Sequence, residues 1–332
     1  MLSQAQTIRA VLAPVLLTSL LFPLLYQPFL DSTWSTLRYT SLYNWSTFET
    51  IWTVFCYAAI EVSMTIVFLR HPEWRLSPSS SPSSKPRPKP KGMRRPSRRI
   101  GEILLYIAPL LTMDLTMIKK FADVPLADIL SSGNYNAHTH LAPPDDHHLL
   151  ATNASLPSKS FLLPTLHNFT ASSPLQLVRA LPPDAPSSRL LATELIASFL
   201  IYDALFFAFH LSLHQIRPLR RWHAPHHAHD TGIHPQVTNQ LSLFERLGLV
   251  LLANFSLNMI GSHVLTRTLF VPVFVWLLVE IHSGMDLPWG YDKVLPQGWA
   301  GGARTHMKHH AGGGGGLEPF FCWWDRLWEM CR

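Results

Sequence analysis

Nine histidines between residues 210 and 310 fall into three tight clusters and one single position, and their spacing constrains the fold more than any other feature. They are His210 and His214; His223, His226 and His227; His282; and His306, His309 and His310. Residues three or four apart lie on one face of an α-helix, so each cluster predicts a helix with its imidazole rings on one side. Pro225, inside the second cluster, fits such a helix in its first turn.

These imidazoles indicate a site for transition metals. Imidazole nitrogen suits iron, zinc, copper and nickel, and the set exceeds what one tetrahedral zinc binds. It is large enough for two metals of roughly four or five ligands each. Dioxygen activation requires open coordination positions beside an apolar cavity. Two irons suit such an oxidising function better than zinc, because zinc has no redox chemistry. The alternative is a non-catalytic, zinc-binding membrane scaffold.

Carboxylates near the clusters are candidates to orient the ligand rings, as the partners of metal-bound histidines do. Asp203 lies seven residues before His210, which places it two helical turns back on the same face. An acid inside an apolar span is costly and is therefore a functional candidate. We predict Asp203 and Asp286 as catalytic residues, with a surface or capping role as the alternative for each. Further candidates are Glu245, Glu280 and Asp325.

The clusters belong to a strongly apolar chain. Only 14% of its residues are charged, against about 25% in soluble domains, and a full membrane span needs about 20 apolar residues. Four apolar runs predict membrane spans, at 7–30, 47–69, 100–117 and 190–209. Two further runs of 14 residues, at 247–260 and 268–281, predict a helical hairpin that dips into the bilayer, with its turn near Gly261.

A basic segment determines the predicted orientation. Ten Lys and Arg residues lie between Arg70 and Arg99, against the single acid Glu73, and basic loops stay in the cytosol. All nine clustered histidines then face the cytosol. The run lacks the aromatic interleaving of a nucleic-acid site, so no nucleic-acid partner is expected.

The same orientation places residues 121–189 in the lumen. Two glycosylation sequons there, at Asn153 and Asn168, agree with it, whereas Lys119 and Lys120 at the lumenal boundary argue against it. Seven histidines outside the clusters are expected in solvated loops. They are His138, His140, His147, His148, His229, His234 and His263.

The predicted fold is an all-α integral membrane helical bundle with a cytosolic, histidine-rich di-iron cap. The first apolar run is expected to be a signal anchor, with a cleaved signal peptide as the alternative. The three cysteines form no CxxC motif and indicate no disulfide framework. The predicted segments are an N-terminal membrane hairpin (1–75), a disordered basic cytosolic loop (76–99), a third span (100–120), a Pro-rich lumenal loop (121–189) and a catalytic domain (190–332).

The order of the clusters resembles the fatty acid hydroxylase/sterol desaturase superfamily. Its pattern is His-x3-His, then His-x2-His-His, then a second His-x2-His-His after an apolar hairpin, and the resemblance covers about residues 202–327. Within the superfamily the chain looks most like the cholesterol 25-hydroxylase group and its fungal relatives. The segments that carry this likeness are 280–289, 296–302 and 319–325, whereas the glycines at 312–316 depart from the family's polar and aromatic stretch.

This resemblance implies a di-iron membrane oxygenase of the endoplasmic reticulum. The nine clustered histidines would be its iron ligands, and electrons would come from NADPH through a reductase or cytochrome b5. The implied substrate is lipid-like, namely a sterol, a fatty acyl chain, a terpenoid or a polyketide, and membrane lipid surrounds the protein. Hydroxylation of an unactivated C–H bond is the expected reaction, with a sterol desaturase or a sphingoid-base hydroxylase as the alternative.

Overall fold

The computed structural model describes residues 2–76, 100–135, 161–227, 233–310, 316–317 and 319–331. Within these ranges the chain forms thirteen α-helices and no β-strand, which confirms the all-α prediction. The helices are α1 (Gln4–Leu21), α2 (Gln27–Arg38), α3 (Ser41–Asn44), α4 (Phe48–Arg70), α5 (Ile100–Thr116), α6 (Leu126–Ser132), α7 (Ser188–Gln215), α8 (Arg217–His227), α9 (Leu243–Met259), α10 (Val264–Ile281), α11 (Tyr291–Val294), α12 (Gly302–His310) and α13 (Trp323–Met330).

Several sequence predictions fall outside the described residues. They concern the basic loop from residue 77 to 99, the histidines His138, His140, His147, His148 and His229, the sequon at Asn153 and the glycines 312–315.

Four helices are long and apolar enough to cross a membrane, namely α1, α4, α7 and α10. The predicted membrane helical bundle is thereby confirmed. The third predicted span is a helix of 17 residues, α5. The second arm of the predicted hairpin is longer than expected, because α10 already begins at Val264, after the side chain of His263 accepts a hydrogen bond from the backbone N–H of Leu265.

The first apolar run is not one continuous helix, so the prediction of a span over 7–30 is wrong in its extent. Helix α1 begins after a capping box at Ser3 and ends at Leu21. Pro23 disfavours a helical backbone at the residue before it, and Phe22 has φ −125° and ψ 61°. The chain therefore turns there and continues as α2.

The lysine that conflicted with the predicted orientation has a structural role. Lys119 contacts the carboxylates of Asp114 at 2.5 Å and Glu49 at 3.3 Å. The guanidinium groups of Arg179 and Arg267 approach the same Glu49 carboxylate at 3.3 and 3.5 Å. Ion pairs hold buried charges that would otherwise be costly, so Lys119 stabilises this network.

Helices α9 and α10 form the predicted hairpin, which turns at Gly261 with a positive φ of 58°. Helix α9 packs against α7, while α10 packs against α4, α7 and α12. Two histidines predicted to lie in solvated loops are buried, so that prediction is wrong for them: His263 is 1% exposed and His234 is 3% exposed. His263 is buried because it caps α10 and its Nε2 reaches the carbonyl of Asp184 at 3.2 Å.

Helix α8 differs from the sequence prediction in where it starts. It begins at Arg217, with Pro218 in its first turn, so Pro225 lies in its last turn and the prediction for Pro225 is wrong. Pro218 suits the first turn of the helix. An N–H group at that position would have no intrahelical partner, so proline, which lacks the N–H, loses no hydrogen bond there. The three clusters nevertheless lie on helices as predicted, at the C-terminal ends of α7, α8 and α12.

Candidate metal centre

The structure brings all nine clustered histidines together and divides them into two groups. Within each group the ligand nitrogens lie within 4.8 Å of one another. The five-histidine group comprises His210, His214, His223, His227 and His309, and the four-histidine group comprises His226, His282, His306 and His310. The sequence predicted about this number of ligands for each of two metals.

The division follows helical spacing. Each pair of histidines four residues apart stays within one group, since such rings lie one above the other on a helix face. The intervening ring of each triplet joins the other group: His226 leaves its cluster for the four-histidine group, and His309 leaves its cluster for the five-histidine group. Helices α8 and α12 therefore each serve both groups. The groups adjoin, with the ring centroids of His227 and His310 4.6 Å apart.

The ring nitrogens of the five-histidine group converge on a common point. Nε2 of His223 lies 3.0 Å from Nε2 of His210, 2.9 Å from that of His214 and 2.8 Å from that of His227. A neutral imidazole carries one N–H and one lone pair, so a single ring cannot bond to three such neighbours. Lone pairs that converge in this way suit a cation bound between them.

The four-histidine group has the same character. Nε2 of His306 lies 2.9 Å from Nε2 of His282 and 3.0 Å from that of His310, while His226 and His282 are 3.4 Å apart at Nε2. The donors of both groups are all imidazoles, a set that fits iron or another transition metal. Burial and neighbouring imidazoles hold the pKa values of His226 and His306 well below the ordinary value, so these rings are neutral and present lone pairs.

Backbone carbonyls fix the tautomer of three rings. In each case Nδ1–H donates to a carbonyl oxygen, which leaves Nε2 as the ligand atom and orients the ring. The acceptors are Leu317 for His210 at 2.7 Å, Leu278 for His282 at 2.8 Å and Gln240 for His226 at 3.2 Å. Sequence reasoning did not find these acceptors, because a backbone carbonyl has no signature in the sequence.

A carboxylate orients a fourth ring. Glu245 lies 2.5 Å from Nδ1 of His223, and both side chains are buried. Its other oxygen accepts hydrogen bonds from the amide and hydroxyl of Ser242, which completes the capping box of α9. Glu245 was a sequence candidate, and Ser-x-x-Glu before an apolar run is the signal that places it at a helix start.

The two acids predicted as catalytic lie elsewhere. Asp203 accepts hydrogen bonds from the backbone N–H groups of Phe320 and Phe321, at 3.0 and 3.3 Å. Seven residues along a helix is about 10 Å, so its carboxylate does not reach the His210 ring. Asp286 pairs with Lys293 at 2.7 Å and Arg304 at 2.8 Å.

The remaining two candidate acids bind backbone near the centre. Glu280 accepts from the N–H of Tyr291 at 2.7 Å and from the indole of Trp276 at 2.7 Å. Asp325 accepts from the N–H of Leu317 at 3.0 Å. Because the carbonyl of Leu317 is the acceptor for His210, Asp325 positions a ligand ring through one residue of backbone.

A cavity of about 230 Å³ opens beside the histidines. Its walls are mainly apolar side chains of α4, α5, α7, α9 and α10, such as Phe206, Leu249 and Phe274. Five site histidines also face it, namely His210, His223, His226, His282 and His306. Both histidine groups therefore border one apolar space.

Residues 195–329 match the family described as fatty acid hydroxylase. The match identifies a fatty acid hydroxylase domain in this part of the chain. The match covers α8 to α12 completely and α7 from residue 195, and it includes all nine clustered histidines. It confirms the resemblance found in the sequence.

Curated proteins resemble this region in sequence. Cholesterol 25-hydroxylase from Rattus norvegicus is 33% identical over 173 residues, which are 52% of this chain and 56% of that protein. The Homo sapiens enzyme of that name is 33% identical over 153 residues, or 46% and 56%. A protein provisionally designated a methylsterol monooxygenase, from Dictyostelium discoideum, is 31% identical over 151 residues, or 43% and 52%.

The similarity to these proteins is partial. The chain spans about half the length of the curated relatives it matches. No solved structure matches the chain.

Proposed function

We propose that the protein is a di-iron membrane oxygenase that hydroxylates an unactivated C–H bond of a lipid-like substrate. The observation that carries this proposal is the division of nine imidazoles into groups of five and four beside one apolar cavity. Relatives named as sterol hydroxylases or monooxygenases support an oxidoreductase acting on lipid.

The nine histidines would hold two irons, which supply dioxygen activation and the oxidation of a C–H bond when bound. Iron is preferred to zinc because the relatives are oxidative enzymes and zinc has no redox chemistry. Electrons would come from NADPH through a reductase or cytochrome b5. The protein's own part is to keep the rings neutral and oriented through Glu245 and the carbonyl acceptors, with Nε2 directed inwards.

The cavity would bind the apolar part of the substrate against the ring nitrogens. Its aromatic and aliphatic walls exclude water, which suits a reaction at an unactivated C–H bond. A sterol is the first candidate for the substrate, since the relatives from rat and human are named for cholesterol. Oxidation of a sterol methyl group is a second candidate reaction, favoured by the similarity to the Dictyostelium protein.

We place the protein in the endoplasmic reticulum membrane, with its metal centre facing the cytosol. The basic sequence from residue 77 to 99, between α4 and α5, supports this orientation. Helices α7 and α10 end at the metal centre, which agrees with histidines at one boundary of the membrane.

The test combines metal analysis with product analysis. For metal analysis, the full-length protein is purified from iron-replete cells. For product analysis, membranes from the same cells are supplied with NADPH, a reductase and cholesterol. We expect two irons per chain and a product that has gained one oxygen atom, in a reaction that requires dioxygen. Stoichiometric zinc without product, under the same conditions, would favour the non-catalytic scaffold.

A further inference from the structure

The cavity beside the metal centre contains a polar group that the histidine groups do not use. Tyr57 lines the cavity together with Thr53, which lies one turn earlier on the same face of α4. The hydroxyl oxygen of Tyr57 is buried and has no hydrogen-bond partner within the described ranges of the chain. A buried hydroxyl without a partner is unfavourable, so a ligand that supplies one would be bound preferentially.

The other uncharged polar side chains of the mostly apolar cavity wall, histidines aside, are those of Thr53, Thr238 and Asn239. Unlike the Tyr57 hydroxyl, each of them already has a hydrogen-bond partner among the described residues. The bonded pairs are Thr53 Oγ1 with Glu49 O at 2.7 Å, Thr238 Oγ1 with Pro235 O at 2.7 Å, and Asn239 Oδ1 with Arg246 Nη1 at 2.5 Å.

We propose that Tyr57 is a specificity-determining residue whose hydroxyl hydrogen-bonds an oxygen of the lipid substrate. The ligand class is a largely hydrocarbon lipid that carries a hydroxyl or carbonyl group, such as a sterol. This inference rests on the proposed function, because it assumes that the cavity is the substrate site.

The hydrogen bond would decide which part of the lipid lies beside the histidines. Apolar contacts are non-directional, so hydrocarbon walls alone give a lipid chain no fixed register. A hydrogen bond has a preferred distance and angle and would hold the substrate in one position. The cavity, at about 230 Å³, is smaller than the roughly 300–1,000 Å³ of typical ligand pockets. It would therefore hold only the hydrocarbon next to the bonded oxygen, and the rest of the lipid would lie outside it.

Two tyrosine variants separate this role from a structural one. Tyr57→Phe removes one oxygen atom that bonds to no described residue, so the fold is expected to persist. Tyr202→Phe is the matched control. The hydroxyl of Tyr202 is also buried without a partner among the described residues, but this side chain packs in an aromatic cluster with Phe274 and Phe320 and does not line the cavity.

The experiment measures sterol binding to the full-length, iron-loaded protein in lipid nanodiscs without a reductase, so that no turnover occurs. The probes are radiolabelled cholesterol and cholest-5-ene, which has the same skeleton without the hydroxyl group. We expect Tyr57→Phe to weaken cholesterol binding about three- to tenfold, the effect of one neutral hydrogen bond. Binding of cholest-5-ene should not change, and Tyr202→Phe should match the parent with both probes.

Equal affinities of the parent and Tyr57→Phe for cholesterol would overturn the inference, and so would the absence of cholesterol binding to the parent. The binding result is independent of catalysis. If Tyr57→Phe binds cholesterol normally while the parent oxidises lipid when a reductase is added, only the role of Tyr57 is rejected. If Tyr57→Phe shows the expected loss and the parent forms no product, the oxygenase proposal is rejected instead.

Discussion

Glu245 accepts a hydrogen bond from Nδ1 of His223 at 2.5 Å, and this contact joins the first turn of α9 to the five-histidine group. The same carboxylate caps α9 through Ser242. One side chain therefore both starts a helix and orients a ligand ring. Because Nδ1 of His223 donates to Glu245, its Nε2 lone pair faces the other four rings of the group.

We expect Glu245→Gln to lower the iron affinity of the five-histidine group about ten- to a hundredfold, the usual effect of losing a carboxylate partner of a ligand histidine. Stability should change little, because glutamine completes a capping box as glutamate does. The iron content is measured after dialysis against increasing chelator concentrations, alongside the thermal unfolding temperature.

Glu194→Gln is the matched control for this variant. Glu194 is also a buried carboxylate, but it binds the backbone N–H of His263 and the hydroxyl of Thr266, away from the histidine groups. We expect its iron affinity to equal that of the parent. The same chelator dependence for both variants would contradict the role of Glu245.

The sequence predicted the nine histidines and their helices because one-face spacing is a local property. It did not predict which ring joins which group, since that depends on how α8 and α12 lie between the other helices. For the same reason, the sequence ranked Asp203 above Glu245 as the carboxylate that orients a ligand ring. Asp203 shares a helix face with His210 but lies about 10 Å away along it, whereas Glu245 meets His223 only through the packing of α9 against α8.

Asp286 was predicted as catalytic, and its ion pair with Arg304 gives that prediction a testable form. Arg304 lies on α12 two residues before His306, so Asp286→Asn would loosen the helix that carries the third cluster. Asp286 is 39% exposed at its side chain, so the loss of stability should stay below about 1 kcal/mol. A turnover rate reduced alongside this small loss of stability would indicate positioning of α12, and unchanged turnover would contradict any part in catalysis.

The stability difference between the parent and Asp286→Asn should depend on pH. Burial raises the pKa of Asp286, but Lys293 and Arg304 outweigh it and hold the pKa below its ordinary value. A lowered carboxyl pKa contributes stability above the unfolded value of about 3.9, and this contribution is lost as the pH falls through the folded pKa. Unfolding temperatures of the two proteins should therefore differ at pH 6 and converge below about pH 3.9. A difference that persists at low pH would exclude the ion pair as its cause.

The two sequons of the predicted lumenal segment should behave differently. The side-chain amide of Asn168 donates to the carbonyl of Asn134 at 3.0 Å, and Asn134 donates back to the carbonyl of Asn168 at 2.7 Å. A glycan on Nδ2 of Asn168 would crowd this partly buried pair, so we expect modification at Asn153. The mobility shift on enzymatic deglycosylation should vanish in Asn153→Gln and persist in Asn168→Gln. A parent protein without any shift would count against the lumenal placement of this segment.

The two histidine groups can be tested separately, because His226 belongs to the four-histidine group and His309 to the five-histidine group. We expect His226→Ala to leave three ligands in the four-histidine group and His309→Ala to leave four in the other. Each variant should lose about one of two irons and all oxidation, while membrane insertion, checked by alkaline extraction, is retained.

His71→Ala is the control, since His71 bonds to Glu73 and is 39% exposed. Full turnover in both site variants would reject the nine histidines as a metal centre, whereas loss of both irons from either one would show that the groups bind metal cooperatively.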